Sequence, residues 1–300
     1  MSIRIGIDLG GTKIEIIALD DHGNILARER TLTPNKNYQD LVRTTVKLVN
    51  DVEKKTGEQG TVGIAIPGAI SLATGKIKNS NTTCMIGKDF AVDLVSALQR
   101  PVRLCNDANC FALSEAIDGA GQGAVIVFGV ILGTGVGGGI TVNGNVLTGI
   151  NAIAGEWGHN PLPWPGADEL PGPACYCGQR GCIETYLSGP GFARDYKFMT
   201  GSGTDARSIV DRSRSGDETA QAALERYCNR FARALANVIN IIDPDVVVVG
   251  GGLSNIRELY TRVPELWTQY VFSDRVDTHL KPAMHGDSSG VRGAAWLWPP

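Results

Sequence analysis

The chain has 300 residues, 43% of them hydrophobic, with a formal net charge of -3. That length exceeds one ordinary core and points to two domains sharing a cleft, and the faintly acidic balance lacks the basic field that duplex nucleic acid requires. No run approaches the roughly eighteen uncharged apolar residues of a membrane span, and MSIRIGIDLGG enters a strand without a secretory leader, so a cytoplasmic protein is expected.

Residues 3–31 divide into three short strands, IRIGIDL, KIEIIALD and ILARERT, joined by GGT and DDHGN turns, which predicts an antiparallel meander. From Tyr38 to Val52 the residues Leu41, Val42, Thr45, Leu48, Val49 and Val52 recur at helical spacing. A strand (TVGIAIP), a helix near 91–99, a strand (VRLCND) and a helix (ANCFALSEAIDG) follow. The run AVIVFGVILGTGVGGGITVNGNV then restarts the pattern of strand, Gly/Thr turn, strand. Two such copies, IDLGGTK and ILGTGVGG, predict a duplicated α/β domain with both turns facing one cleft.

Residues 182–214 read as irregular helix. From Glu218 to Ile242 one helical side carries Ala222, Leu224, Tyr227, Phe231, Leu235, Val238, Ile239 and Ile242, and Pro244 ends it. DVVVVGGGLSN reads as a fully buried strand closing on three glycines, with a helix from Ile256 onward. The final GVRGAAWLW predicts a short apolar helix packing back on the first domain.

Gly10, Gly11 and Thr12 follow the strand that holds Asp8, and Lys13 comes next. Glycines there let backbone amides approach an anion, and the threonine adds a donor. Gly133, Gly135 and Gly138 fit GxGxxG, but a strand rather than a helix follows, which excludes a dinucleotide fingerprint. A plain tight hairpin needing positive φ is the alternative for each turn. Two Thr-bearing turns together with Gly250, Gly251 and Gly252 favour a nucleotide.

His159, Cys175, Cys177 and Cys182 lie within two dozen residues, and three of the seven cysteines fall within eight. Three thiolates and an imidazole make a closed tetrahedral zinc set with no open position for water, so a structural Zn²⁺ is expected to shape this loop. Cys84, Cys105, Cys110 and Cys228 sit in apolar patterns and read as inert thiols. Asn106 and Asp107 stand where a strand meets a helix, so Asp107 reads equally as an N-cap or as a general base. Glu156 and Glu184 bracket the zinc loop, and carboxylates beside His and Asn suit the hydroxyls of a sugar.

These segments resemble the ROK sugar kinases and related repressors, within the actin-like ATPase and hexokinase superfamily. IDLGGTK at 7–13 and LGTGVGGG at 132–139 resemble the two phosphate motifs, AIPG at 65–68 the sugar-side hinge loop, NDAN at 106–109 the catalytic turn, and GEWGH with CYCGQRGCIE the zinc signature. The resemblance implies a duplicated ribonuclease H-like two-domain fold with a central nucleotide and sugar cleft and a zinc-bound loop. The domains expected are 1–118 with the C-terminal helix 290–300, and 119–289 carrying the zinc loop 159–182. It further implies that Asp107 deprotonates the sugar, that Gly68, Asn81, Asn106, Glu156, His159 and Glu184 bind it, and that His159 uses one ring nitrogen for sugar and the other for zinc. ATP would be held by Asp8, Gly10, Gly11, Thr12, Lys13, Gly133, Thr134, Gly135, Gly137 and Gly250 to Gly252, with Mg²⁺ on its phosphates. Asn79, Ser80 and Asn81 occupy the family's sugar loop, and Cys84 or Met85 stands where an aromatic residue is often found.

Repressors of this family carry a DNA-binding segment before the first phosphate motif, whereas Asp8 is close to the start here, so a kinase is expected. GEWGHNPLPW and HGDSSGVRGAAWLW look most like fructokinases that also accept mannose. The expected reaction is therefore ATP-dependent phosphorylation of fructose, or mannose, at the C6 hydroxyl. N-acetylglucosamine or glucose kinase is the alternative, followed by a non-catalytic sugar sensor. A homodimer is the expected assembly, with sugar and ATP as small-molecule partners and neither nucleic acid nor membrane.

Overall fold

The structure is a computed structural model that describes residues 3–80 and 82–298. Its contacts divide the chain into two compact units, Met1–Gly123 with Gly139–Ala154 and Asp287–Pro300, and Ala124–Gly138 with Gly155–Gly286.

In the first unit β1 (Arg4–Leu9), β2 (Lys13–Leu19) and β3 (Ile25–Leu32) form the meander read from their alternation. β4 (Thr61–Ile66) pairs parallel to β1, and β7 (Val102–Asn106) parallel to β4, giving the order β3-β2-β1-β4-β7. A small hairpin, β5 (Ala69–Ile70) with β6 (Ile77–Lys78), leaves the end of β4. Helix α1 (Tyr38–Thr56) starts at Asn37, whose side chain accepts from Gln39 and Asp40 N–H, and ends at left-handed Gly57. It buries Leu41, Val42, Thr45, Leu48, Val49 and Val52, the six positions marked by helical spacing. Helix α2 (Phe90–Leu98) adds Phe90 and Leu94 to the same core.

On the other sheet face lie α3 (Asp107–Asp118) and the C-terminal α9 (Ser289–Ala295), as the small apolar run GVRGAAW predicts. Close backbone approach explains its composition. A Cβ at Gly6 would fall 2.1 Å from Val291 O, at Gly63 1.9 Å from Ala294 O, and at Gly293 1.7 Å from Cys110 O.

The second sheet has the order β10-β9-β8-β11-β12, from β8 (Ile126–Leu132), β9 (Val136–Val142), β10 (Asn145–Val146), β11 (Val246–Gly250) and β12 (His279–Pro282). Third, second, first, fourth, fifth is also the order of the first sheet, so the expected duplication holds at the level of topology. β12 escaped sequence reading because HLKP is a mostly exposed edge strand without an apolar signal. The chain leaves the second unit within β9, and Gly139–Ala154 groups with the first because β10 packs on α3. The domain limits drawn from sequence had assigned that segment to the second domain.

Within the second unit α4 (Glu184–Leu187), α5 (Gly189–Thr200) and α6 (Ala206–Arg214) resolve the irregular helical stretch, α7 (Glu218–Ile242) runs the full predicted length, and α8 (Leu259–Trp267) starts three residues later than expected. On α7, Ala222 faces solvent whereas Arg230 and Arg233 are buried. No helix among the described residues is long and apolar enough to cross a membrane.

Candidate functional site

The first glycine turn joins β1 to β2. Gly10 N–H donates to Lys13 O at 3.0 Å, Thr33 Oγ1 to Gly10 O at 2.7 Å, and Asn35 Nδ2 to Gly11 O at 3.0 Å. Thr33 and Asn35, which sequence reading did not single out, thus brace the turn from the chain after β3. The second turn joins β8 to β9. It is held by Gly133 N–H to Gly135 O at 3.0 Å, Gly189 N–H to Gly133 O at 2.8 Å and Val136 N–H to Glu184 Oε2 at 2.9 Å. Neither turn has a glycine at positive φ, so the tight-hairpin alternative fails for both. A Cβ at Gly11, Gly133 or Gly252 would meet no atom within 4 Å, which leaves the backbone there open to a ligand. Gly251 differs, with φ at +82° and a Cβ position 2.4 Å from Leu132 O, so its glycine serves the close pass of β11 over β8.

Asp8, Gly10, Thr12, Lys13 and Glu15 line one hollow in the first unit. Burial, then the charges of Asp107 and Glu15, push the Asp8 carboxyl up to about 7, with Lys13 opposing. Glu15 is itself neutralised by Arg28 at 2.6 Å and Arg30 at 2.8 Å. A half-buried carboxylate raised by a neighbouring carboxylate suits a hard divalent cation such as Mg²⁺, whose charge would restore its ionised form.

Asp107 is not the N-cap of α3, although its Oδ1 accepts from Ala108 N–H at 2.8 Å. Asn106 is the N-cap of α3, its Oδ1 accepting from Ala108 N–H at 2.9 Å and Asn109 N–H at 3.4 Å. Asp107 occupies the first helical position with an exposed side chain, close enough to Asp8 to raise it. Asn106 Nδ2 donates to Gly68 O at 3.0 Å, and Gly68 sits at φ +89° where a Cβ would fall 2.4 Å from Lys78 O. The cap, the AIPG loop and the β5–β6 hairpin are therefore one assembly with Asp107 at its rim. Ser80 is buried and its hydroxyl accepts from Thr82 N–H at 3.1 Å. Asn81 lies outside the described residues. Met85 is in the core and Cys84 packs against it.

In the second unit Glu156 is exposed immediately before a 3-10 turn, Trp157–His159. Trp157 fixes this turn, donating from Nε1 to Gly137 O at 3.0 Å. His159, Cys175, Cys177 and Cys182 converge, with ligand atoms all within 4.8 Å of one another. Cys177 Sγ to Cys182 Sγ is 3.6 Å and Cys175 Sγ to His159 Nδ1 is 3.6 Å. Bonds of about 2.3 Å to sulfur and about 2.0 Å to nitrogen give tetrahedral edges of roughly 3.5 to 3.8 Å, which these two separations match, so the four residues could hold a zinc ion. Burial and the neighbouring thiols push Cys182 up to about 12, a crowding that a bound cation would relieve. His159 Nε2 lies 2.9 Å from the Tyr176 hydroxyl, a contact with no signal in the sequence.

The profile of the ROK family matches residues 4–300. N-acetyl-D-glucosamine kinases of Pectobacterium carotovorum and Salmonella paratyphi B are 42% and 41% identical to the chain over 296 residues, covering 97% of it and 97% and 98% of their own lengths. Among solved structures, a ROK hexokinase from Thermus thermophilus has a TM-score of 0.86 at 31% identity over 98% of this chain and 96% of its own. A ROK family glucokinase from Streptomyces griseus, in complex with glucose and AMPPNP, has a TM-score of 0.76 at 27% identity over 99% of each. The duplicated sheets with a glycine turn in each half thus define the actin-like ATPase and hexokinase class. The chain belongs to the ROK family of sugar kinases. The fructokinase-like reading of GEWGHNPLPW is corrected by these relatives, which favour the alternative of N-acetylglucosamine.

Proposed function

We propose that this protein transfers the γ-phosphoryl group of ATP to the C6 hydroxyl of a hexose, with N-acetyl-D-glucosamine as the first candidate and glucose as the second. The relatives matched over nearly the whole chain support the sugar. The observation that carries the chemistry is Asp107, exposed at the start of α3 beside Asp8, with Asn106 as the N-cap and its own Oδ1 accepting from Ala108 N–H at 2.8 Å, a contact that orients the carboxylate as a base requires.

In this reading Asp107 accepts the hydroxyl proton as the oxygen bonds to the γ-phosphorus and the bond to the β-phosphate oxygen breaks. Bound Mg²⁺ would supply charge neutralisation at the phosphates, with Asp8 holding its water shell. Gly10, Gly11, Thr12 and Lys13 of one turn and Gly133, Thr134, Gly135 and Gly137 of the other offer amides and hydroxyls to the phosphates, and Gly250 to Gly252 face the adenosine. Gly68, Asn81, Asn106, Glu156, His159 and Glu184 receive the remaining sugar hydroxyls, and the Zn²⁺ quartet orders the segment between Glu156 and Glu184.

ADP release measured with N-acetylglucosamine, glucose, fructose, mannose and N-acetylmannosamine tests this directly. N-acetylglucosamine is expected to give the highest kcat/KM. A best rate with fructose would restore the other sugar, and no ADP with any of them would leave a sensor. A second expectation follows from the metal quartet. Cys177→Ser should lower bound zinc well below one equivalent and raise the KM for sugar at the same time, because the loop loses its order. Full sugar affinity in a zinc-depleted Cys177→Ser protein would separate the metal from the sugar site.

A further inference from the structure

Tyr176 stands between two cysteines of the metal quartet and is 82% exposed. Its hydroxyl is nonetheless committed, lying 2.9 Å from His159 Nε2, and the two rings meet edge to face at 5.1 Å and 89°. Its backbone is pinned. Cys175 N–H donates to Gln179 O at 2.8 Å and Gly178 N–H to Cys175 O at 3.1 Å, so the tyrosine can leave His159 only by rotating its side chain. The exposed ring has room to do so.

His159 turns Nδ1 toward the thiols, so when a metal takes Nδ1 the ring's single proton resides on Nε2. That proton serves one good acceptor at a time, and Tyr176 oxygen now holds the position. The hydroxyl thus holds His159, a side chain that the proposed function assigns to a sugar hydroxyl.

We infer that the Tyr176 hydroxyl is a place-holder for a sugar hydroxyl, occupying His159 Nε2 in the unliganded protein and rotating away when the sugar binds. This deepens the proposed function and rests on it. Tyr176 is thus a positioning residue that sets sugar affinity without touching the transferred group. Its hydroxyl satisfies His159 and keeps the imidazole plane fixed, and part of the sugar's binding free energy is consumed in displacing it.

The test uses calorimetric titration, without nucleotide, of whichever sugar of the panel gives the highest kcat/KM, alongside steady-state kinetics. Tyr176→Phe keeps the ring and removes the competing oxygen. A net hydrogen bond contributes about 0.5 to 1.5 kcal/mol, so dissociation constant and KM should both fall roughly two- to ten-fold, with kcat and zinc content unchanged. Tyr176→Leu, lacking ring and hydroxyl, should also bind sugar more tightly than wild type. Unchanged or weaker binding in Tyr176→Phe would overturn the place-holder, weaker binding meaning that the phenol contacts the sugar itself. A wild-type protein that phosphorylates no sugar of the panel would instead remove the proposed function, and this inference with it.

Discussion

Asp107→Asn is expected to fold, retain zinc and bind sugar while losing about 10²- to 10⁴-fold in turnover, the usual worth of a positioned general base. Asparagine keeps the shape and most of the hydrogen-bonding capacity of aspartate but cannot take the proton. The cap assignment makes this a paired experiment. Asn106 holds Ala108 and Asn109 N–H, so Asn106→Ala should cost about 1 kcal/mol of stability. Asp107→Ala should cost less, because the Ala108 N–H that Asp107 Oδ1 accepts at 2.8 Å is also accepted by Asn106 Oδ1 at 2.9 Å and α3 keeps its cap. Urea unfolding gives the stabilities and coupled ADP release the rates. Turnover of Asp107→Asn within a few fold of wild type would take Asp107 out of the mechanism.

Glu169→Ala is expected to be the most destabilising single change among the charged residues discussed here. Glu169 is buried with Arg230 Nε at 2.7 Å from Oε1, Arg233 Nη2 at 2.8 Å from Oε1 and Arg233 Nη1 at 2.9 Å from Oε2. Arg233 also donates to Pro163 O at 3.2 Å and Trp164 O at 2.6 Å, and Tyr186 hydroxyl donates to Glu169 O at 2.8 Å. The cluster therefore ties the chain between His159 and Cys175 to α7. Removing one partner of a buried ion pair leaves uncompensated charge and typically costs about 3 to 5 kcal/mol.

The same cluster sets a pH dependence. Burial alone would raise the Glu169 carboxyl, but Arg233, Arg230 and Gly166 N–H outweigh it and hold the group at about 2 against an ordinary 4.5. The folded state thus binds this proton less readily than the unfolded chain. The stabilisation is complete above about 4.5 and is lost as the pH falls through 2. The gap in unfolding free energy between wild type and Glu169→Gln should accordingly narrow as the pH is lowered from 5 toward 3, by roughly 1.4 kcal/mol per unit at most. A gap independent of pH, or a neutral-pH cost of Glu169→Ala below about 1 kcal/mol, would show that the arginines find other partners.

Much of this protein is local and was legible in its sequence. Strand patterning in RIGIDL and KIEIIAL, helical spacing from Leu41 to Val52, and the apolar run VVVV each mark an element, although β1 and β2 are buried on both faces rather than on the one that alternation implies. The likeness of IDLGGTK to ILGTGVGG announced the duplicated topology, since each copy of strand, glycine turn and strand rebuilds the same sheet order. The convergence of His159, Cys175, Cys177 and Cys182 was legible because all four side chains come from one segment and cysteines at short spacing have few other uses.

Tertiary structure decided what depends on neighbours distant in sequence. Asn106 rather than Asp107 became the cap because its amide also reaches Gly68, 38 residues away. Glu184 braces the second glycine turn through Val136 N–H, 48 residues away, and Glu169 meets Arg230 and Arg233 more than 60 residues on. A helical wheel marks those arginines as polar, and only a buried carboxylate delivered by a loop makes burying them affordable. The Asp8 carboxyl is pushed up by its burial first and then by the charges of Asp107 and Glu15 on other elements, and no spacing within β1 encodes either.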